Sequence, residues 1–323
     1  MSRSTSSAAP QPDSYTYPRY LQAKETVDER ALNRRVWEAF VDRLQRRAGS
    51  PCRILEVGAG TGATAKRVVD ALREPRVDSL RYTLVDIESD NLDAAREELL
   101  RWSREEGFDV WGSESRVVLT GGEVDVSFSL VEADLFDFAS AYDDPPVDAL
   151  IAQAVLDLFD VADALRRLAP LLDADGLWYL PIHYDGVTAF EPTVDAELDR
   201  TIESLYNASM SDEEGGRSGA HCGRRLLSHL REQDMDLIDA GASDWVVLAG
   251  DDGTYRGDEA YFLHHILHFI EGELRGHPEL NEEAFANWLT ERRRQIAEGE
   301  LMYIAHQLDV LAQKPARTEE TRA

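Results

Sequence analysis

The sequence predicts an α/β protein built on a mostly parallel, seven-stranded sheet with helices on both faces and further helices inserted after the fifth and sixth strands. Three observations lead there. Short aliphatic runs alternate with amphipathic stretches of helical period along most of the chain, the pattern of parallel strands joined by crossover helices. A glycine cluster lies where the first such run gives way to a helix. The 323 residues, 43% of them hydrophobic, suffice to bury one large core.

The elements follow in order. Met1 to Ser14 is rich in Ser and Pro with no apolar core, so it reads as a disordered tail and not as a secretory signal. Ala31 to Arg47 sets Leu32, Val36, Phe40 and Leu44 at helical spacing, which places an amphipathic lead-in helix within residues 15–50. Arg53–Val57 is the first strand, and the helix after the glycines carries Val68, Val69 and Leu72 on one face. Tyr82–Ile87 is the second strand, after which Ser89 offers an N-cap oxygen to a helix reaching about Trp102. Val124–Glu132 and Val147–Val155 are strands three and four, followed by a helix with Val161, Leu165, Leu168 and Leu172. Leu177–Tyr184 is the fifth, with Pro181 placed near its end because proline cannot donate to a ladder. These elements make a core over residues 51–185.

Residues 186–233 read as a helical insertion that includes a flexible Gly215–Gly219 stretch. Residues 234–314 hold the last two strands, Leu237–Leu248 and Leu301–Leu311, around a second helical insertion at about 255–298, and residues 315–323 form a tail. The insertions are expected to roof a cleft.

Charge and cysteine content exclude several functions. Acidic side chains number 62 against 34 basic ones, a net charge of −28, and only Lys24, Lys66 and Lys314 are lysines. Nucleic-acid binding needs a cationic stripe, and the densest arginine groups (Arg43, Arg46, Arg47; Arg292, Arg293, Arg294) sit beside acids on helices, so no nucleic-acid partner is expected. No stretch is long and apolar enough for a membrane span, and the expected compartment is the cytoplasm. Cys52 and Cys222 supply neither a disulfide framework nor a thiolate zinc site. A carboxylate-rich, lysine-poor surface also fits work in concentrated salt, where screening suppresses self-repulsion.

The most informative residues are Glu56, Gly58, Ala59, Gly60 and Gly62, at a strand-to-helix turn. Glycines there let backbone N–H groups approach a ligand at the helix N-terminus. Asp86 closes the next strand, placed to accept hydrogen bonds from both hydroxyls of a ribose, with Ile87 against an adenine face; Asp134 closes the third. Gly58, Gly60 and Ala63 also satisfy a dinucleotide fingerprint of the form G-x-G-x-x-A, so a nicotinamide-dependent oxidoreductase stays open, as does a non-catalytic binding protein. Glu56 and the additional Gly62 extend the motif to E-x-G-x-G-x-G.

With ILEVGAGTG, then LVDI, then EADLF, residues 53–184 resemble the Rossmann-like class I S-adenosylmethionine-dependent methyltransferases of small-molecule type. The segments Leu237–Leu248 and Leu301–Leu311 resemble that family's last two strands. The resemblance implies S-adenosylmethionine as cofactor, with its methionine part on Glu56, Gly58, Ala59, Gly60 and Gly62. It implies the ribose on Asp86, adenine among Ala133, Asp134 and Leu135, and the sulfonium facing Gln153 to Leu156. It further implies an N-terminal helix that closes over the cofactor, matched by Tyr20, Lys24 and Arg30. Ile151–Leu156 lacks the Asn/Asp-Pro-Pro-aromatic motif of amino-methylating nucleic-acid enzymes. A small-molecule methyl acceptor and a homodimer are expected.

Methyl transfer by in-line displacement needs alignment and dryness more than acid–base groups, and no metal. For a hydroxyl acceptor, His183 at the exit of the fifth strand is the candidate base; Asp157 is the candidate for orienting the acceptor. Equally, His183 reads as a core histidine and Asp157 as a response to a helix dipole. His264, His265 and His268 read as a partly buried helix face or a pocket wall, not a metal site.

Overall fold

The computed structural model describes residues 11–47, 51–73, 77–122, 124–210 and 219–316. Most of the expected N-terminal tail, most of the C-terminal tail and Gly215 to Ser218 of the expected flexible stretch lie outside the described residues.

Three helices lead in: α1 (Tyr17–Ala23), α2 (Glu25–Ala31) and α3 (Arg34–Arg47). The expected helix from Ala31 is broken at Leu32, whose backbone turns extended. Asn33 then starts α3, its side chain accepting from Val36 N–H (3.3 Å) and donating to the Ala242 carbonyl (2.9 Å).

The core runs β1 (Cys52–Val57), α4 (Ala63–Leu72), β2 (Ser79–Asp86), α5 (Ser89–Glu105), the hairpin β3 (Asp109–Ser113) and β4 (Arg116–Thr120), then β5 (Asp125–Glu132), α6 (Leu135–Ala141), β6 (Val147–Ala152), α7 (Val161–Leu168) and β7 (Leu172–Glu191). Beyond it come α8 (Ala196–Ser209), α9 (Cys222–Glu232), β8 (Asp236–Ala242), β9 (Trp245–Val247), α10 (Glu259–Leu274), α11 (Glu282–Ala297) and β10 (Met302–Gln313). The insertions therefore follow the fifth and sixth expected strands.

All strands join one sheet of order β3-β4-β5-β2-β1-β6-β7-β10-β8, with β9 on β10. The block β5-β2-β1-β6-β7 is parallel; β10 pairs antiparallel with β7, β8 and β9. This is the Rossmann-like arrangement expected from the sequence. The strand order reverses at β1, whose neighbours β2 and β6 belong to opposite halves, and a crevice opens there at the strands' carboxyl ends. One buried apolar cluster lies on the α3, α4 and α5 face, with Phe40, Val69 and Leu99; a second lies on the α6, α7 and α9 face, with Leu165, Leu168 and Leu226. A third, the roof, gathers Tyr20, Phe262, Trp288 and Tyr303.

Three local expectations are corrected. Ser89 does not cap α5: it is the first helical residue, and Glu88 holds the cap position without a side-chain bond. Pro181 lies well inside the long β7, at a register shift against β10 where Ile182 adopts φ +57°, so a bulge accommodates the missing donor. The segment Leu237–Leu248 is interrupted between β8 and β9, where Ser243 N–H donates to Gln307 O (2.9 Å). The β3–β4 hairpin adds an antiparallel edge that the sequence reading left out; most of β3 is exposed, which removes the apolar alternation that would reveal it. No helix among the described residues is long and apolar enough to cross a membrane.

Candidate active site

A cleft of about 670 Å³ lies over the carboxyl ends of β1, β2 and β6. Its floor is the glycine turn. Gly58 has φ +62°, and a Cβ there would sit 2.5 Å from Val155 Cγ2; a Cβ on Gly60, at φ +53°, would press on Leu21 at 3.0 Å. Only glycine leaves both the conformation and the space. Ala59 N–H ties the turn to the Val85 carbonyl (3.1 Å).

Asp86 connects the turn to the next strand. Its Oδ2 accepts from Gly60 N–H (2.8 Å), and its Oδ1 accepts from Glu88 N–H (3.0 Å) and the Asn91 amide (3.2 Å). Those donors fix the carboxylate at the cleft edge. Ile87 beside it is 61% exposed, and Leu158 and Tyr17, on other walls of the cleft, are 53% and 48% exposed. Apolar surface of this kind at a concave site is what a ligand covers. Ala133, Asp134 and Leu135 complete that side; Asp134 Oδ1 caps α6 by accepting from Phe136 and Asp137 N–H (2.8 and 3.1 Å).

Beneath the turn, Glu56 is buried and accepts from Tyr82 O–H (2.7 Å); burial pushes its carboxyl up to about 7. At the end of β6, Gln153 accepts from Thr64 O–H (2.9 Å) and donates to Asp28 Oδ2 (2.9 Å). Asp28 Oδ2 also pairs with Lys24 (3.0 Å), while its Oδ1 accepts from the Trp245 indole (2.9 Å). Lys24 lies over the Trp245 ring, 5.5 Å from its centroid. Lys66 of α4 binds Glu25 (2.8 Å) and Glu98 (2.6 Å). The lead-in helices thus form the far wall, fastened by side chains.

Among the residues singled out from the sequence, Glu56, Gly58, Ala59, Gly60, Asp86, Ile87, Ala133, Asp134, Leu135 and Gln153 all line this one cleft. Gly62 does not; it precedes α4 at φ +77° and faces Leu84 and Ala95. Tyr20 lies one layer behind the cleft, stacked on Phe262 (5.8 Å between centroids) and against His265 (4.8 Å). Arg30 faces away, bound to Glu259 and to the Thr26 carbonyl. His183 is not brought to the cleft: it is wholly buried within β7, opposite Leu308, and burial lowers its pKa to about 4. Asp157 sits in the turn Leu156–Leu158, just behind the lining residues Val155 and Leu158. His264 and His265 are buried in α10, and His268 stacks on Tyr15 (4.3 Å). Among the described residues no group of three or more His, Cys, Asp or Glu converges to hold a metal.

The sequence reading missed Tyr17, Glu25, Asp28, Thr64 and Trp245. Asp28 and Trp245 are 217 positions apart and carry no local motif.

No family model matches the chain, and no curated protein does. Solved structures similar over most of the chain include a Bacillus halodurans C-125 protein designated a methyltransferase (13% identity, 86% of this chain and 100% of that one, TM-score 0.47). They also include geranyl diphosphate C-methyltransferase from Streptomyces coelicolor A3(2) with Mg²⁺, geranyl diphosphate and S-adenosylhomocysteine (13%, 86% and 77%, 0.40). A third is the plantazolicin methyltransferase with S-adenosylhomocysteine (13%, 93% and 91%, 0.38).

Proposed function

We propose that this chain is a class I S-adenosylmethionine-dependent methyltransferase that acts on a small-molecule acceptor. The observation that carries the reading is the bare backbone at Gly58 and Gly60, held against the Asp86 carboxylate in a cleft at the switch point of the sheet. The residues fit the cofactor. A cradle that any Cβ would fill suits an amino-acid moiety approached by backbone N–H groups. Asp86 retains accepting capacity for ribose hydroxyls, since each carboxylate oxygen has more than one lone-pair site. Ile87, with Ala133 and Leu135, supplies apolar surface for a base, and Asp134 uses one oxygen for its helix cap.

When bound, S-adenosylmethionine supplies an electrophilic methyl group on a sulfonium. The chain's contribution is to orient and to exclude water. Gln153, fixed on both ends of its amide, positions the end of β6. Lys24, Asp28 and Trp245 hold α2 against the cleft, and Lys66 fastens Glu25 from the opposite side. His183 is a poor base in this reading, because a buried imidazole with a lowered pKa, set within a strand, has no path to the cleft.

Calorimetric titration of the full chain with S-adenosylhomocysteine, NAD and NADP tests the reading. Binding of the first alone is expected; preference for a nicotinamide overturns it. A binder without catalysis would hold S-adenosylhomocysteine and label no acceptor from radiolabelled S-adenosylmethionine.

A further inference from the structure

Resting on the methyltransferase reading, we infer that the acceptor is a small molecule bearing an amine that binds as its ammonium cation, that the carboxylate of Asp157 anchors this ammonium, and that the methyl goes to another atom of the molecule, one that keeps its lone pair. Two independent observations point this way.

The first is the charge of the cleft. Glu25, Asp28, Asp86, Glu88, Asp90 and Asp134 all line it, whereas Lys24 is the one cation among the described lining residues. That lysine is already committed, paired with Asp28 at 3.0 Å and seated over Trp245. An acceptor bearing a carboxylate or phosphate would enter a field of its own sign with no free cation to receive it. A cation meets the opposite condition.

The second is Asp157. It belongs to the turn between lining residues Val155 and Leu158, and its Oδ1 is buried without a hydrogen-bond partner. A buried carboxylate oxygen left without a donor is costly, and such an orphan marks a place where a ligand donor belongs. The surroundings say what kind. Its charge acts on Tyr17, which lines the cleft, and on Tyr206 of α8 and Cys222 of α9. Lys24 is the one cation that acts on it in turn. A carboxylate with an unsatisfied oxygen, beside an acid-rich cleft, is a seat for an ammonium group, whose N–H bonds satisfy that oxygen while the ring of Tyr17 on the cleft wall takes part of the charge.

The test uses the full chain saturated with S-adenosylhomocysteine and two matched probe sets: butylamine, butanol and butyrate; phenethylamine, phenylethanol and phenylpropionate. Calorimetry reads binding without turnover. The expected result is that in at least one set the amine binds about tenfold or more tighter than its alcohol and its acid. In Asp157→Asn that advantage over the alcohol shrinks by about fivefold or more, with S-adenosylhomocysteine affinity retained as the sign of an intact fold. Acids or alcohols that bind as well as the amines in both sets overturn the amine assignment. An amine preference unchanged in Asp157→Asn overturns the anchor. Loss of S-adenosylhomocysteine binding by the native chain would strike the methyltransferase reading instead, so the two failures are separable.

Discussion

Along the carboxyl ends of β1 and β2 the cleft wall is made of backbone: the Gly58–Gly60 turn, the Ala59 N–H on Val85, and the Asp86 carboxylate held by amides only two to five residues away or across one strand pair. The opposite wall, α1 and α2, is made of side chains whose partners lie far off in sequence, as Asp28 does with Gln153 and Trp245, and Lys66 with Glu25. The first wall is fixed by conformation and shape. The second is held by ion pairs and hydrogen bonds together with Tyr20, Ala23 and Val27 packed into the apolar roof. In the proposed function the cleft admits two ligands and then excludes water, a task that one wall of each kind serves.

Filling the backbone wall should have the largest effect. Gly58→Val forces a β-branched residue to φ +62° and drives its Cβ into Val155. The backbone strain alone costs about 1–3 kcal/mol. Binding of S-adenosylhomocysteine should fall by about 100-fold or more, read by calorimetry on protein that still melts cooperatively. Near-native affinity would mean that the turn is not the cofactor's floor.

The floor also predicts a pH dependence. Burial raises the Glu56 carboxyl from its usual range to about 7 in the folded protein. Below about pH 4.5 the group is protonated in both states and costs nothing. As pH rises to about 7 the unfolded chain ionises while the folded one stays protonated, so stability is lost over that window, up to about 3 kcal/mol. Glu56→Gln keeps an acceptor for Tyr82 and removes the titration. Its stability relative to the native chain should climb between pH 4.5 and 7 in chemical denaturation; parallel curves would show that Glu56 ionises freely.

Asp86→Asn should act next most strongly. It removes the charged acceptor offered to the ribose hydroxyls, and charge-assisted bonds are worth about 1.5–3 kcal/mol. The expected loss of S-adenosylhomocysteine affinity is about 10- to 100-fold, with homocysteine alone, which lacks the ribose, unaffected in relative terms. An equal loss for both ligands would move the residue's role from ribose to turn.

The difference between the walls also explains what could be read in the chain. The parallel block was legible because β1 and β6 are near-continuous apolar runs, β5 alternates, and a glycine or an acid marks the ends of β1, β2 and β5. The backbone wall was legible because the residues of its glycine turn follow one another in a short motif. The side-chain wall was not. Asp28 and Trp245 meet only after β9 has been laid on β10, and nothing in the spacing of positions 28 and 245 announces it. His183 misled for a related reason: it stands at the apparent end of an apolar run, but β7 continues through the Pro181 bulge to Glu191 and carries the imidazole into the core. Exposed β3 escaped notice because a sheet edge in water needs no apolar alternation.

Lys66→Met carries the smallest expected effect and gives the sharpest test of how the second wall is held. Lys66 is mostly buried between Glu25 of the lead-in helices and Glu98 of α5. Glu25 is about one-third exposed, so solvent screens that pair; Glu98 keeps Arg101 as a second partner, and the net loss should stay near 1 kcal/mol. Global melting should barely move. Amide exchange should instead quicken across residues 17–31 while β1 and β2 stay protected, because the strap constrains a local opening and not the sheet. Added S-adenosylhomocysteine should restore part of that protection in the variant, by covering the surface between Tyr17 and Ile87. Unchanged exchange over residues 17–31 would mean that Tyr20, stacked on Phe262 in the apolar roof, holds the helices by itself, and the wall would then open only when the roof does.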